Sequence, residues 1–113
     1  RSAVVGPGTV VMANGCINPD SRVGNNVIIN TNATVDHDCI IGHHVHIAPG
    51  ATLCGTVTVG DGSFICAGAT VLPNLTIGQD VIVGAGSTVI SDIGDAVTVV
   101  GSPARVIRPG RRG

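Results

Sequence analysis

The chain contains no tryptophan, no tyrosine, no lysine and no glutamate, and Phe64 is its one phenylalanine. A core without aromatics must be filled by branched aliphatics, so valine and isoleucine become the candidate interior. Charge is confined to arginine and aspartate, and the formal net charge of -1 leaves no basic face of the kind a general nucleic-acid binder needs to release counterions. Apolar runs extend only a few residues, far short of a membrane span. Cys16, Cys39, Cys54 and Cys66 form no C-x-x-C pair and follow no secretory signal. Neither a zinc knuckle nor a disulfide framework is indicated, and reduced thiols in a soluble, cytoplasmic protein are expected.

At 113 residues the chain has room for one hydrophobic core and one domain. It opens on Arg1 and enters a repeat within five residues, which suggests a domain cut from a longer protein. At the other end Arg105, Arg108, Arg111 and Arg112 crowd the last nine residues. They form either a solvated tail or a contact for a phosphorylated ligand.

What is abundant is a period of six. Stepping by six from Val5 through Val11, Ile17 and Val23 to Val83 and Val89 meets fifteen aliphatic residues in succession. With Val, Ile and Leu under a third of the chain, such a run arises by chance with a probability on the order of 10⁻⁸. Four residues beyond each member lies a second column, mostly small, including Thr9, Ser21, Ala33, Cys39, Ala51, Ser63, Ala69 and Ser87. Glycine often follows the aliphatic residue directly, as at Gly6, Gly24, Gly42, Gly60, Gly78 and Gly84.

A large inward residue and a small one four positions on, separated by Gly, Asn or Asp, describe a short strand followed by a corner. Three such units close one triangular coil, so positions three units apart stack on one another. The resulting all-β parallel β-helix has about five coils and a height of roughly 24 Å at the ordinary strand spacing. The repeat is expected over residues 1–94, with a C-terminal capping strand and arginine-rich tail over 95–113. A cap is needed because an open coil end exposes unpaired backbone groups. The other end, at Arg1 to Val4, looks bare.

All four histidines, His37, His43, His44 and His46, fall within ten residues. His43 and His44 read as solvent-facing turn residues. His37 stands between Asp36 and Asp38, where a carboxylate can fix an imidazole tautomer and stabilise the imidazolium, as a general base requires. One coil further on lies Gly55, whose unobstructed N–H is expected to face the same small volume. A base and a backbone donor on adjacent coils are the minimal equipment for acyl transfer. The same three-unit spacing aligns Pro49, Ala67, Ala85 and Pro103 along another edge, a shallow groove suited to an extended pantetheine arm bonded mainly to backbone.

The stretch from Ile29 to Gly42, reading Asn30-Thr31-Asn32-Ala33-Thr34-Val35-Asp36-His37-Asp38-Cys39 at its centre, resembles the signature of the bacterial sugar acetyltransferases that act on sialic acid oxygens or on UDP-4-amino sugars. His46-Ile47-Ala48-Pro49-Gly50-Ala51, Val71-Leu72-Pro73-Asn74 and Gly101-Ser102-Pro103-Ala104-Arg105 extend the likeness to about two-thirds of the chain. The resemblance implies a left-handed β-helix, a hand that runs against the usual crossover rule and that periodicity does not reveal. It implies acetyl-CoA as co-substrate, a homotrimer with sites between subunits, and a sugar acceptor, with a nucleotide-linked 4-amino sugar ahead of sialic acid. By the same resemblance His37 is the catalytic base, Asp38 tunes it, and Gly55 offers its N–H to the thioester carbonyl. His46 lies at the acetyl-CoA end with Ala67, Ala85, Pro103 and Arg105 along the coenzyme, and Asn30 and Asp36 bind substrate. Asp38 is shorter than the glutamate of some relatives, so Asp36 stays open as the orienting acid.

Two rival readings remain. A γ-type carbonic anhydrase shares the architecture but needs a histidine followed about two coils later by a close pair, and no histidine follows His46. No metal is therefore expected. A non-catalytic trimerisation or binding module is the other, against which the Asp-His-Asp triplet speaks.

Overall fold

The computed structural model describes residues 3–109. Among them are seventeen strands, numbered in chain order, and no helix. The first sheet stacks β1 (Val4–Val5), β4 (Arg22–Val23), β7 (Ile40–Ile41), β10 (Thr58–Val59) and β13 (Thr76–Ile77). The second stacks β2 (Val10–Val11), β5 (Ile28–Ile29), β8 (His46–Ile47), β11 (Phe64–Ile65) and β14 (Ile82–Val83), then β16 (Val97–Gly101) and β17 (Ala104–Pro109). The third holds β3 (Cys16–Ile17), β6 (Thr34–Val35), β9 (Thr52–Leu53), β12 (Thr70–Val71) and β15 (Thr88–Val89). The chain visits the three sheets in turn, so each circuit is one coil of a three-sided parallel β-helix.

Registers such as Val5↔Val23, Ile29↔Ile47 and Val35↔Leu53 are parallel and join positions three repeat units apart, the coil length read from the sequence. In each two-residue strand the first side chain points out and the second in, because successive strand residues face opposite sides. From Val23 to Val89 every member of the aliphatic column is buried. At the N-terminal end Val5 and Val11 remain 45% and 43% exposed, because no coil lies beneath them among the described residues. Backbone N–H groups donate to the next coil, as from Val10 to Val27 at 2.9 Å and from Thr34 to Ala51 at 2.9 Å.

The corners differ in a way the hexad pattern concealed. Each has two residues, the second usually at positive φ, a conformation open to Gly, Asn and Asp. At the corner between the second and third sheets a tight turn closes on itself, with the Ala51 N–H bonded to Ala48 O and Ala69 N–H to Cys66 O, both at 3.1 Å. Only small inward residues fit there: Ala33, Ala51, Ala69 and Ser87. The other two corners are not closed this way, and they admit Val27, Val45, Val57 and Val81 or use a hydroxyl as a bridge. Ser21 Oγ donates to Asp36 O at 2.7 Å and accepts the Cys39 N–H at 3.1 Å, and Ser63 does the same for Gly78 O and the Val81 N–H at 2.7 and 3.0 Å. Small residues therefore occur at all three corners, but only the tight one is restricted to them.

The repeat also does not keep its period to Gly94. Ile77 pairs with Ile93, and β14 meets β16 as Ile82↔Thr98 and Val83↔Val99, so the last circuit is shorter than the others by two positions. The chain then reverses, and β17 runs antiparallel to β16 as the last strand of the second sheet. These two additional rungs help extend the molecule to 37 × 24 × 23 Å, longer than five coils alone require.

Candidate active site

The corner between the third and first sheets carries a column led by Pro19, His37, Gly55 and Pro73. Its leading residue has no rung in the backbone ladder. The residue before it donates to the next coil, as Asp36 N–H does to Leu53 O at 2.9 Å, and the residue after it donates to the previous one, as Asp38 N–H does to Pro19 O at 3.3 Å. Proline suits this position because it has no N–H to leave unpaired. At His37 the N–H is taken by Asp36 Oδ1 at 2.7 Å. At Gly55 the N–H has no backbone acceptor among the described residues, although the residue is buried. It is a donor left for something other than the coil.

The His37 ring lies over this glycine. A Cβ added to Gly55 would stand 2.5 Å from His37 Nε2 and 2.6 Å from Cε1, so no other residue fits without displacing the imidazole. On its far side Nδ1 is 3.1 Å from Asp38 Oδ2. A carboxylate accepts, so Nδ1 carries the proton and Nε2 presents its lone pair. The ring is 61% exposed and the Asp38 side chain 57%, so the pair stands at the surface of the prism. Of the two neighbouring acids, Asp38 is the one bonded to the ring. Asp36 instead receives the main-chain N–H of His37 and the Asn18 amide at 3.1 Å, which together hold its carboxyl below the ordinary value.

His46 and Asn30 meet on a different side of the prism, on the outer face of the second sheet. Asn30 Oδ1 accepts the Thr31 N–H at 2.7 Å, which directs its amide nitrogen to His46 Nε2 at 3.3 Å. His46 Nε2 is thereby the acceptor and Nδ1 the protonated nitrogen. The ring stacks on Phe64 with centroids 4.6 Å apart and planes 5° from parallel. Phe64 is not singled out by the sequence pattern, although it lies one coil beyond His46 and pairs with it across the sheet.

Ala67 and Ala85 lead the tight corner between the second and third sheets, both exposed, and each is followed by glycine at φ near +70°, Gly68 and Gly86. No atom of the chain lies within 4 Å of where a Cβ would stand on either glycine. Other corners accept Asp38, His44 or Thr56 at comparable φ, so packing within the chain is not what keeps this edge bare. Pro103 does not continue the column. The shortened circuit puts Gly101 level with Ala85, and Pro103 falls in the turn between β16 and β17. Arg105 is exposed on β17, opposite Val100. Arg111 and Arg112, half of the expected basic tail, lie outside the described residues.

His43 and His44 are exposed, as expected of turn residues, but His43 also has a structural part. Its Nδ1 accepts the Asn25 N–H at 2.8 Å, one coil below. No group of three or more His, Cys, Asp or Glu among the described residues is arranged to hold a metal ion. All four cysteines are free thiols, and burial pushes those of Cys39, Cys54 and Cys66 above their ordinary value. No helix among the described residues is long and apolar enough to cross a membrane.

Fold and corner together define a class, a hexapeptide-repeat β-helix with a histidine–aspartate pair facing a bare glycine. The family model for bacterial transferase hexapeptide (six repeats) matches residues 20–55 and 56–91. The chain belongs to that family. Comparison with curated protein sequences returns no match. Among solved structures, the acetyltransferase domain of PglB from Neisseria gonorrhoeae, in complex with acetyl coenzyme A, superimposes with a TM-score of 0.93 at 44% identity, over 94% of this chain and 52% of that one. PerB from Caulobacter crescentus, in complex with CoA and GDP-perosamine, gives 0.81 at 45% identity, over 94% and 54%. A galactoside acetyltransferase in complex with coenzyme A gives 0.87 at 30% identity, over 94% and 64%. The chain spans about half the length of the first two.

Proposed function

We propose that this chain is an acetyl-CoA-dependent acetyltransferase domain whose acceptor is an amino or hydroxyl group of a sugar, with a nucleotide-linked 4-amino sugar as the favoured substrate. The observation that carries the reading is the placement of His37 Nε2 over Gly55, whose N–H has no backbone acceptor among the described residues. The likeness to structures holding acetyl coenzyme A, and CoA with GDP-perosamine, supports the choice of donor and acceptor. Sialic acid is the second acceptor.

In this mechanism His37 Nε2 removes a proton from the acceptor nitrogen as that nitrogen attacks the thioester carbon. Asp38, bonded to Nδ1, keeps the ring in the tautomer that accepts at Nε2 and stabilises the imidazolium. The Gly55 N–H stabilises the negative charge that develops on the carbonyl oxygen. Collapse of the tetrahedral intermediate breaks the C–S bond, and the imidazolium returns the proton to the departing thiolate. No covalent enzyme intermediate is needed.

The coenzyme lies along the Ala67 and Ala85 edge, where the corner is bare of side chains larger than alanine, with His46 and Arg105 on the adjoining second sheet. His37 and His46 stand on different sides of one prism, which favours a homotrimer whose sites are completed between neighbouring copies. The outer face of the second sheet, with Val10 and Ile28 48% and 39% exposed, supplies apolar surface for that contact. The free thiols fit a cytoplasmic setting.

An acetyl-transfer screen with acetyl-CoA, comparing nucleotide-linked 4-amino sugars with sialic acids, tests the reading. Release of CoA dependent on an amino sugar supports it. Absence of transfer to any sugar, with acetyl-CoA failing to bind by calorimetry, sinks it.

A further inference from the structure

We infer that Asn18 is a positioning residue for His37, acting through Asp36 from the neighbouring coil. The inference rests on the base role proposed above for His37. An imidazole that is 61% exposed has little packing to hold it, so its place over Gly55 depends on a few directed anchors. Asp38 restrains the ring through Nδ1. The main chain is restrained separately, by Asp36 Oδ1 on the His37 N–H.

That second anchor has its own support. Asn18 lies one coil before Asp36, directly beneath it in the stack, and donates from Nδ2 to the same Oδ1 at 3.1 Å. The Asn18 amide is itself oriented, since Cys16 Sγ donates to its Oδ1 at 3.2 Å and leaves Nδ2 free to donate. The other residues of this outward column are Cys54, Leu72 and Ile90, so the support occurs only at the coil that carries the histidine. Pro19 and Pro73, leading the same corner elsewhere, have no N–H that would need such an anchor. An Asn-to-Asp pair spanning two coils therefore serves the one corner residue whose side chain does chemistry.

Two variants test this, Asn18→Ala and Asn18→Asp, assayed with acetyl-CoA and a nucleotide-linked 4-amino sugar across pH. Asn18→Ala removes the donor, and kcat is expected to fall about tenfold with KM for acetyl-CoA and the melting temperature nearly unchanged, since small misplacements of a reacting group are costly. Asn18→Asp opposes two carboxylates at neutral pH. Its activity relative to wild type is expected to rise as pH falls, when one of the pair protonates and donates to the other. Wild-type kcat in Asn18→Ala, or a loss in Asn18→Asp that is the same at every pH, overturns the inference. Amide hydrogen exchange at His37 reads the anchor without turnover and is expected to speed up in Asn18→Ala. A wild-type chain that transfers no acetyl sinks the proposed function, and the His37 exchange rate still decides the anchor.

Discussion

The His37 imidazole rests on the α-carbon of Gly55 from the next coil, 2.5 Å from where any Cβ would stand. Gly55 is not in the left-handed region, so its backbone tolerates alanine and the steric consequence falls on the histidine alone. In Gly55→Ala, kcat is expected to drop about 10²-fold or more with the melting temperature nearly unchanged, because the base is displaced and the oxyanion donor is screened. A variant within twofold of wild type would show that the place of the His37 ring over Gly55 does not matter for turnover.

Replacing His37 by Ala removes the proposed base while leaving the corner and the Ala67 and Ala85 edge intact. Turnover is expected to fall roughly 10²–10⁴-fold, with acetyl-CoA affinity by calorimetry essentially unchanged. Wild-type turnover in this variant rules out the assignment.

Asp38 combines a chemical part with a conformational one, since its φ is +58°. Asparagine accepts that φ, so Asp38→Asn should fold as wild type but lose the carboxylate on Nδ1, with kcat down about tenfold because the ring loses the group that fixes its tautomer and stabilises the imidazolium formed during transfer. Asp38→Ala should in addition lower stability by about 1 kcal/mol, a difference readable by urea unfolding. Equal stability of the two variants would contradict the conformational part.

Asp36 titrates below the ordinary carboxylate value because it accepts the His37 N–H and then the Asn18 amide. A group whose folded pKa is depressed adds stability that is fully present above its unfolded pKa, about 4, and is lost as pH falls through the folded value. Thermal melts from pH 7 to pH 2 should show wild type losing more stability on acidification than Asp36→Asn. Parallel curves would exclude the linkage.

Cys39 is buried, with its thiol donating to Cys54 O at 3.2 Å and desolvation pushing its pKa up, while Cys16 is exposed. Iodoacetamide at pH 8 is expected to label Cys16 far ahead of Cys39, read by peptide mass spectrometry, because alkylation needs an accessible thiolate. Equal rates would mean that the coil opens readily at this corner.

Much of the site is legible in the sequence because a coil of fixed length turns sequence separation into proximity. Gly55 over His37 is one such pair, and Asn18 beneath Asp36 and Phe64 beside His46 are others. The last two escape a sequence reading because asparagine and phenylalanine are ordinary in strands and turns. Asn18 is unmarked by its identity, and Phe64, although the one aromatic of the F, W and Y types, carries no sign of its partner until the stack places it beside His46. Pro103 is misplaced for the converse reason: the circuit after Val89 loses two positions, and a full-coil step from Ala85 overshoots into the hairpin turn.

Sequence alone dictates the period, the inward column and the three-sided stack, because a strand buries alternate residues and only a step of six keeps fifteen aliphatics on one side. It leaves open which of Asp36 and Asp38 orients His37, since both are its neighbours in the chain. The folded arrangement separates the two, directing Asp38 to the ring and Asp36 to the main chain. Folding also sets which corner is tight and where the last coil shortens. These depend on turn closure and on hydrogen bonds between coils, joining groups far apart in the chain such as Cys39 with Ser21 and Gly101 with Ser87, which no local pattern records.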